Sequence, residues 1–343
     1  MWAALAVTAL FLWLALRGVP FATFAKVIAS ADWWWLLGPS IPAYILAVYL
    51  RALRWRHLTD PIQPISTGPL FRAVSVGFMA NNLFPLRIGE VVRCWYLRRE
   101  TGVNAGAVFG TVILERVLDT LMVIALALGV LMLWGSAADR EIARGALLLV
   151  PVAVVPTLVL IWLRVAPDQM IAVAERVLRP FPDRIGAFVE ELLRRISEGL
   201  GALRGGTHLV WIGIHTLNIW LVASTIPMIA GFLAVGVQFG SVVETVTAAW
   251  FMLAAIGVAV AVPSAPGFFG TYHYACKVAL ERFGIPAETA VAIGTLVHAV
   301  FWLTLTLLGL AVLRMRRTSL GELDQAAAPP APSSGKAPTP DRR

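Results

Sequence analysis

Six segments of the sequence are apolar almost throughout: 2–16, 33–50, 111–134, 145–163, 208–233 and 290–313. A helix needs about 20 apolar residues to cross the hydrocarbon core of a bilayer, and most of these segments approach or exceed that length. In lipid only helices and closed β-barrels satisfy every backbone polar group, and no segment alternates with the period of two that barrel strands require. The sequence therefore predicts an all-α fold, a polytopic transmembrane helix bundle. Composition agrees: 59% of the residues are hydrophobic and 14% are charged, against about 25% charged in an ordinary soluble domain. A soluble fold this apolar would expose patches well beyond the roughly few hundred Å² that a monomer tolerates.

The formal net charge is +8, yet its arrangement argues against nucleic acid as a partner. The basic residues do not form a stripe. They cluster beside the apolar runs, as Arg51, Arg54 and Arg56, as Arg93, Arg98 and Arg99, and as Arg314, Arg316 and Arg317. Such clusters mark cytoplasmic ends of spans and are drawn to anionic headgroups. Placing all three inside predicts cytoplasmic N- and C-termini, external segments at 17–32 and 135–144, and an internal segment at 164–207. The run at 2–16 has no basic residues before it and no small-residue cleavage site after it, so it reads as a retained span rather than a signal peptide. Cys94 and Cys276 stand far apart in no metal or redox spacing and read as structural thiols.

Two further regions are apolar but interrupted. The first, 69–92, contains Asn81, Asn82, Pro85, Arg87, Gly89 and Glu90; the second, 242–280, contains Pro263, Ser264, Pro266, Gly267, Gly270, His273 and Lys277. Irregular backbone at membrane depth is tolerated only inside protein or along a watery cavity. Both regions are therefore expected as discontinuous or re-entrant elements. The charge-derived topology has the first enter and leave from the cytoplasm and the second from the outside. Opposed broken elements, one in each half of a chain, are an arrangement that builds transport sites near the bilayer midplane.

The transmembrane domain is expected over 1–317, with a cytoplasmic amphipathic segment at 164–207. Within it, Ile185, Phe188, Val189, Leu192, Ile196, Leu200 and Leu203 recur at helical spacing opposite charged residues, which predicts a helix lying on the membrane surface. Residues 318–343 are rich in Ala, Pro and Ser and read as a disordered cytoplasmic tail.

Charges inside apolar stretches cost about 2.5–3.5 kcal/mol each at a helix centre, so they persist when paired and used. Arg87, Glu90 and Arg93 recur every third residue and share a helical face, as do Glu115 and Asp119, with Arg116 three residues before Asp119. These six are expected to form one buried network. Arginine suits a phosphate-bearing headgroup because its planar fork makes bidentate contacts. Asn81 and Asn82 are placed to satisfy backbone groups freed at Pro85. In the second element, Gly267 and Gly270 allow close backbone approach beside Ser264, and His273, Lys277 and Glu281 follow as a polar stripe. His215 and His298 read as packing residues. No metal site and no cofactor are expected, since the sequence has no His-Glu-x-x-His and no P-loop. The Glu190-Glu191-Leu192-Leu193-Arg194-Arg195 run matches a protease pattern only superficially, since it lies on the polar face of a surface helix. An enzyme is not expected.

Three motifs together resemble the lysylphosphatidylglycerol synthase transmembrane-region family, the flippase half of bacterial multiple peptide resistance factors. They are Arg51, Arg54 and Trp55; Asn81-Asn82, Pro85, Gly89-Glu90 and Arg93 with Glu115-Arg116 and Asp119; and Pro263-Ser264, Pro266-Gly267 and Gly270. The resemblance covers about 1–317. It implies a multi-span inner-membrane protein associated with lipid translocation. The short stretch after Arg317 leaves no soluble aminoacyl-transfer domain, so lysine transfer is not expected.

The expected function is a flippase-like transporter for an anionic, phosphate-bearing lipid, with Asn81, Asn82, Arg87, Glu90, Arg93, Glu115, Arg116, Asp119, Ser264, Gly267, Gly270, His273 and Lys277 as substrate-binding residues. Its partners would be membrane lipids and possible envelope-biogenesis proteins. The alternative is a non-transporting scaffold or regulator of an enzyme of envelope lipid or glycan assembly.

Overall fold

The computed structural model describes residues 2–84, 88–134, 155, 158–159, 161–202, 206–262 and 264–327. Among these, every regular element is helical. The chain runs through α1 (Trp2–Leu16), α2 (Phe21–Ala29), α3 (Trp33–Thr59), α4 (Thr67–Leu83), α5 (Gly89–Thr101) and α6 (Ala105–Trp134). It continues through α7 (Pro167–Leu178), α8 (Asp183–Ala202), α9 (Gly206–Leu217), a π-helical turn (Asn218–Ala223) and α10 (Thr225–Ala234). It ends in α11 (Val242–Ala261), a 3₁₀ turn (Pro266–Phe268), α12 (Thr271–Glu281), α13 (Ala287–Met315) and α14 (Leu320–Ala327).

Among the described residues, five helical stretches are long and apolar enough to cross a membrane: Trp33–Thr59, Ala105–Leu133, Gly206–Ala234, Val242–Val260 and Ala287–Met315. The α1–α2 pair, bent by 88°, makes a sixth if it is one broken span. The protein is thus a multi-pass membrane protein. Most of the expected span at 145–163 lies outside the described residues.

Helices α3, α4 and α13 pack on one another to form the middle of the bundle, and α2 and α12 also pack on α13. Helices in lipid associate through close backbone approach rather than hydrophobic exclusion, which favours small residues at the contact. Gly309 on α13 is such a point: a Cβ there would lie 2.4 Å from Met79 Cβ and 2.9 Å from Ser75 O on α4.

Both interrupted regions fold as hairpins. In the first, α4 and α5 pack side by side, and their far ends are held together. Gln63 Nε2 donates to Thr101 O at 3.4 Å, and Arg72 pairs with Glu100. In the second, α11 and α12 pack together, and Phe239, just before α11, meets Phe283, just after α12, at 6.1 Å between ring centroids. Each hairpin therefore starts and finishes at one end of the bundle. The two ends are opposite, because α13 begins beside the finish of α12 and ends beside that of α5, where Arg316 pairs with Glu100 at 2.8 Å.

The end shared by α5, Thr59, Gly206 and Met315 carries the exposed arginines Arg56, Arg98, Arg99, Arg314, Arg316 and Arg317; we call it the arginine end. At the other end Trp33, Trp34 and Trp35 are exposed at the start of α3. Tryptophan favours membrane–water interfaces, so these rings suit an interfacial belt. Asp32 caps this start, its carboxylate accepting from Trp34 N at 2.9 Å.

Two sequence expectations are corrected, the end of α3 and the start of the tail. Helix α3 does not stop near 50 but runs on to Thr59, because Arg51 and Arg54 are paired inside the bundle rather than solvated. The segment at 17–32, expected outside, contains α2, which packs on α13; that packing does not bear on its side of the membrane. The expected disordered tail begins as α14, which packs on α5 with Leu323 fully buried and Glu322 paired to Arg99. The amphipathic helix is present as α8, and it is more than a surface element. It packs on α6 and α7, and Leu193 joins Ile113, Leu114 and Met170 around Leu163.

Candidate functional site

Seven charged side chains from three helices meet between the arginine end and the middle of the bundle. Helix α3 supplies Arg51 and Arg54, α5 supplies Glu90 and Arg93, and α6 supplies Glu115, Arg116 and Asp119. Asp119 stands 14 residues into α6, about 21 Å along its axis. Its Oδ2 accepts from Arg51 Nη1 at 2.9 Å and pairs with Arg116 Nη2 at 3.1 Å, and its Oδ1 accepts from Arg54 Nη1 at 2.9 Å. Glu115 is fully buried between two guanidinium groups, Arg54 Nη2 at 3.3 Å and Arg93 Nη2 at 2.5 Å. Glu90 joins Arg93 at 3.2 Å and lies 3.7 Å from Arg116.

Among the described residues, four guanidinium groups thus meet three carboxylates, which leaves one positive charge in excess. A charge isolated at this depth would cost several kcal/mol, and mutual pairing offsets that cost. Exposure is uneven. Arg54 and Glu115 side chains are 0% exposed, whereas Arg116 is 39% exposed. Arg116 is therefore the cation that something outside the network can reach most easily.

Neighbouring groups fix the network in place. Arg93 lies over the Trp55 ring at 4.7 Å, and the Trp55 indole donates to Thr111 Oγ1 at 2.8 Å. Arg54 also donates to Thr216 Oγ1 at 3.2 Å. The π-helical turn adds a residue to the helix just beyond Thr216, and from it the Trp220 indole donates to Asp119 Oδ1 at 3.2 Å. Thr225 Oγ1 takes up the Trp220 carbonyl at 3.0 Å. Such single-turn bulges often occur at functional sites.

The two hairpin tips meet at Trp302, midway along α13. Asn82 Nδ2 donates to Trp302 O at 3.3 Å and to Thr306 Oγ1 at 3.0 Å, and the Trp302 indole donates back to Asn82 O at 3.4 Å. From the other hairpin, Gly267 packs so closely that a Cβ would stand 2.8 Å from Trp302 Nε1, and its φ of +73° already selects glycine. Beyond it lies an aromatic group in which His298 stacks on Tyr272 at 4.4 Å and meets His273 at 5.1 Å.

A family model described as lysylphosphatidylglycerol synthase TM region matches residues 1–309. The chain belongs to this family. Membership makes it a membrane protein of the lipid-related, multiple-peptide-resistance type. No curated protein and no solved structure matches it.

In this member of the lysylphosphatidylglycerol synthase TM family, the residues singled out from sequence divide into two groups. Glu90, Arg93, Glu115, Arg116 and Asp119 come together as expected; Arg87 lies outside the described residues. Asn81 and Asn82 are buried in hairpin contacts, with Asn81 Oδ1 accepting from Gly89 N at 2.9 Å at the start of α5. Ser264, Gly267, Gly270, His273 and Lys277 belong to the opposite half. Gly270 (φ +83°) faces the α1 backbone, where a Cβ would meet Thr8 O at 2.7 Å. Lys277 Nζ donates to Arg17 O at 2.7 Å and Leu14 O at 3.4 Å, closing the carbonyl end of α1. Lys277→Met is accordingly expected to lower stability by about 1–3 kcal/mol, as for lost charge-assisted hydrogen bonds. Denaturant unfolding in detergent measures the loss.

Arg51 and Arg54 are the residues that sequence reasoning left out of the site. They read as a positive-inside flank at the end of a span. Two signals point inward: their three-residue spacing matches the four-residue spacing of Glu115 and Asp119, and those carboxylates need cations from another helix.

Proposed function

We propose that this protein moves an anionic, phosphate-bearing lipid between the leaflets of its membrane. The reading rests chiefly on the buried network of four arginines and three carboxylates, with its one excess positive charge. A phosphate meets that excess most readily at Arg116, the half-open cation. Arg51, Arg54 and Arg93 supply the surrounding positive field, while Glu90, Glu115 and Asp119 hold the guanidinium groups at depth before a ligand arrives. Acyl or prenyl chains stay in the bilayer.

The opposed hairpins meeting at Trp302 support the same reading, because broken elements entering from opposite ends bring irregular backbone to mid-depth. In this proposal the arginine end faces the cytoplasm, following the positive-inside rule, and the membrane is the bacterial or archaeal inner membrane.

Arg116→Gln tests the assignment, since a side chain 39% exposed can be neutralised with little effect on folding. In proteoliposomes the variant should move a labelled anionic lipid at least ~10-fold more slowly, the scale of one lost charge-assisted contact. A wild-type rate from well-folded Arg116→Gln protein would remove Arg116 from the site.

A further inference from the structure

Three of the five histidines in the chain gather toward the arginine end, beside the charged network but making none of its ion pairs. His57 lies in the last turn of α3, and Asp60 follows three residues later on the same face. His208 lies in the first turn of α9. One donor atom from each of His57, Asp60 and His208 falls within 4.8 Å of the others. The His57 and His208 rings stand 5.5 Å apart at 74°, and His215, two turns further along α9, stacks on His57 at 5.7 Å.

A second observation indicates that these rings are short of a partner. The Nδ1 atoms of His57 and of His208 are both buried without a hydrogen-bond partner. A buried ring nitrogen left unpaired costs about 1–3 kcal/mol, a cost that a metal bond removes.

We propose that His57, Asp60 and His208 bind one transition-metal ion of the zinc class at the arginine end. Two imidazoles and a carboxylate are a donor set that favours zinc and its late first-row neighbours over magnesium or calcium. Zinc bonds of about 2.0–2.2 Å draw the donors closer than they now stand, through the side-chain torsions of the three residues. Three protein ligands leave a coordination position for water or for His215. Because the ligands come from α3 and α9, the ion ties together two helices that also hold the charged network. His57 is one turn from Arg54, which donates to Thr216 on α9. Metal binding therefore stiffens the arginine end of the site. The site stands independently of the lipid-transport reading, and its test does not involve lipid.

The experiment is equilibrium dialysis of the detergent-purified full chain, without a histidine tag, against Zn²⁺, with metal counted by mass spectrometry. About one ion per chain is expected, together with a rise in the thermal midpoint; binding to the folded state must stabilise it. Co²⁺ should give the visible absorption of a low-coordinate nitrogen–oxygen site. His57→Gln and His208→Gln should each abolish the stoichiometric uptake and the thermal shift while eluting as monodisperse protein. Uptake unchanged in both variants would overturn the proposal. Failure of the unaltered protein to take up Zn²⁺ or Co²⁺ would do so without reference to any variant.

Discussion

Replacing Glu115 with alanine is expected to lower the stability of the folded protein by about 3–5 kcal/mol, the usual cost of stranding a buried charge. The Glu115 side chain is 0% exposed and separates two guanidinium groups, Arg54 at 3.3 Å and Arg93 at 2.5 Å. Without it, both cations face each other with their neutralising partner gone. Arg54, itself fully buried, keeps Asp119, and Arg93 keeps Glu90 at the edge of the network. The loss is therefore severe but incomplete. Adding Arg54→Met to Glu115→Ala should recover part of it, because the second change removes one stranded charge. Denaturant unfolding in detergent measures both effects. If Glu115→Ala unfolds within about 0.5 kcal/mol of the unaltered protein, as surface substitutions do, the network does not have the arrangement described.

A methyl group added at Gly89 should be nearly as damaging, by a steric route. Its Cβ would stand 2.1 Å from Gly77 O and 2.5 Å from Asn81 Oδ1. The first is backbone and cannot swing aside; the second is the atom that accepts from Gly89 N. Helices α4 and α5 must part, and Glu90 and Arg93 move with α5. Gly89→Ala is expected to cost at least ~3 kcal/mol, the upper range for overpacking, and to reduce the monodisperse fraction recovered after extraction. Gly129→Ala is the contrast: nothing lies within 4 Å of its added Cβ, and alanine in a helix gains about 1 kcal/mol over glycine. Equal recovery of the two variants would contradict the tight hairpin.

The helical membrane architecture was legible because lipid leaves few ways to satisfy a backbone, and apolar runs declare themselves. The hairpins were legible from polar and proline interruptions combined with the sidedness of arginine clusters. What failed was the use of charge to mark span ends. Hydropathy stops at Arg51, whereas the helix continues to Thr59 because Arg51 and Arg54 find carboxylates on α6. Sequence shows that a charge needs a partner but not which helix provides it. For the same reason nothing in the order of residues showed that the Lys277 ammonium group closes the end of α1, some 260 residues away in the chain. Trp302 gave no sign of joining the two hairpin tips, since a tryptophan in an apolar run looks like any other bulky residue.

Lipid movement between leaflets is the measurement on which the proposed transport stands or falls. Purified protein would be placed in vesicles containing a trace of headgroup-labelled lipid, either anionic or zwitterionic, and accessibility of the label in each leaflet followed over time. Protein-dependent movement of the anionic lipid is expected, with slower movement of the zwitterionic one and loss of that difference in Arg116→Gln. Folded protein that moves neither lipid, or both at the same rate with Arg116 intact, would contradict the proposed transport.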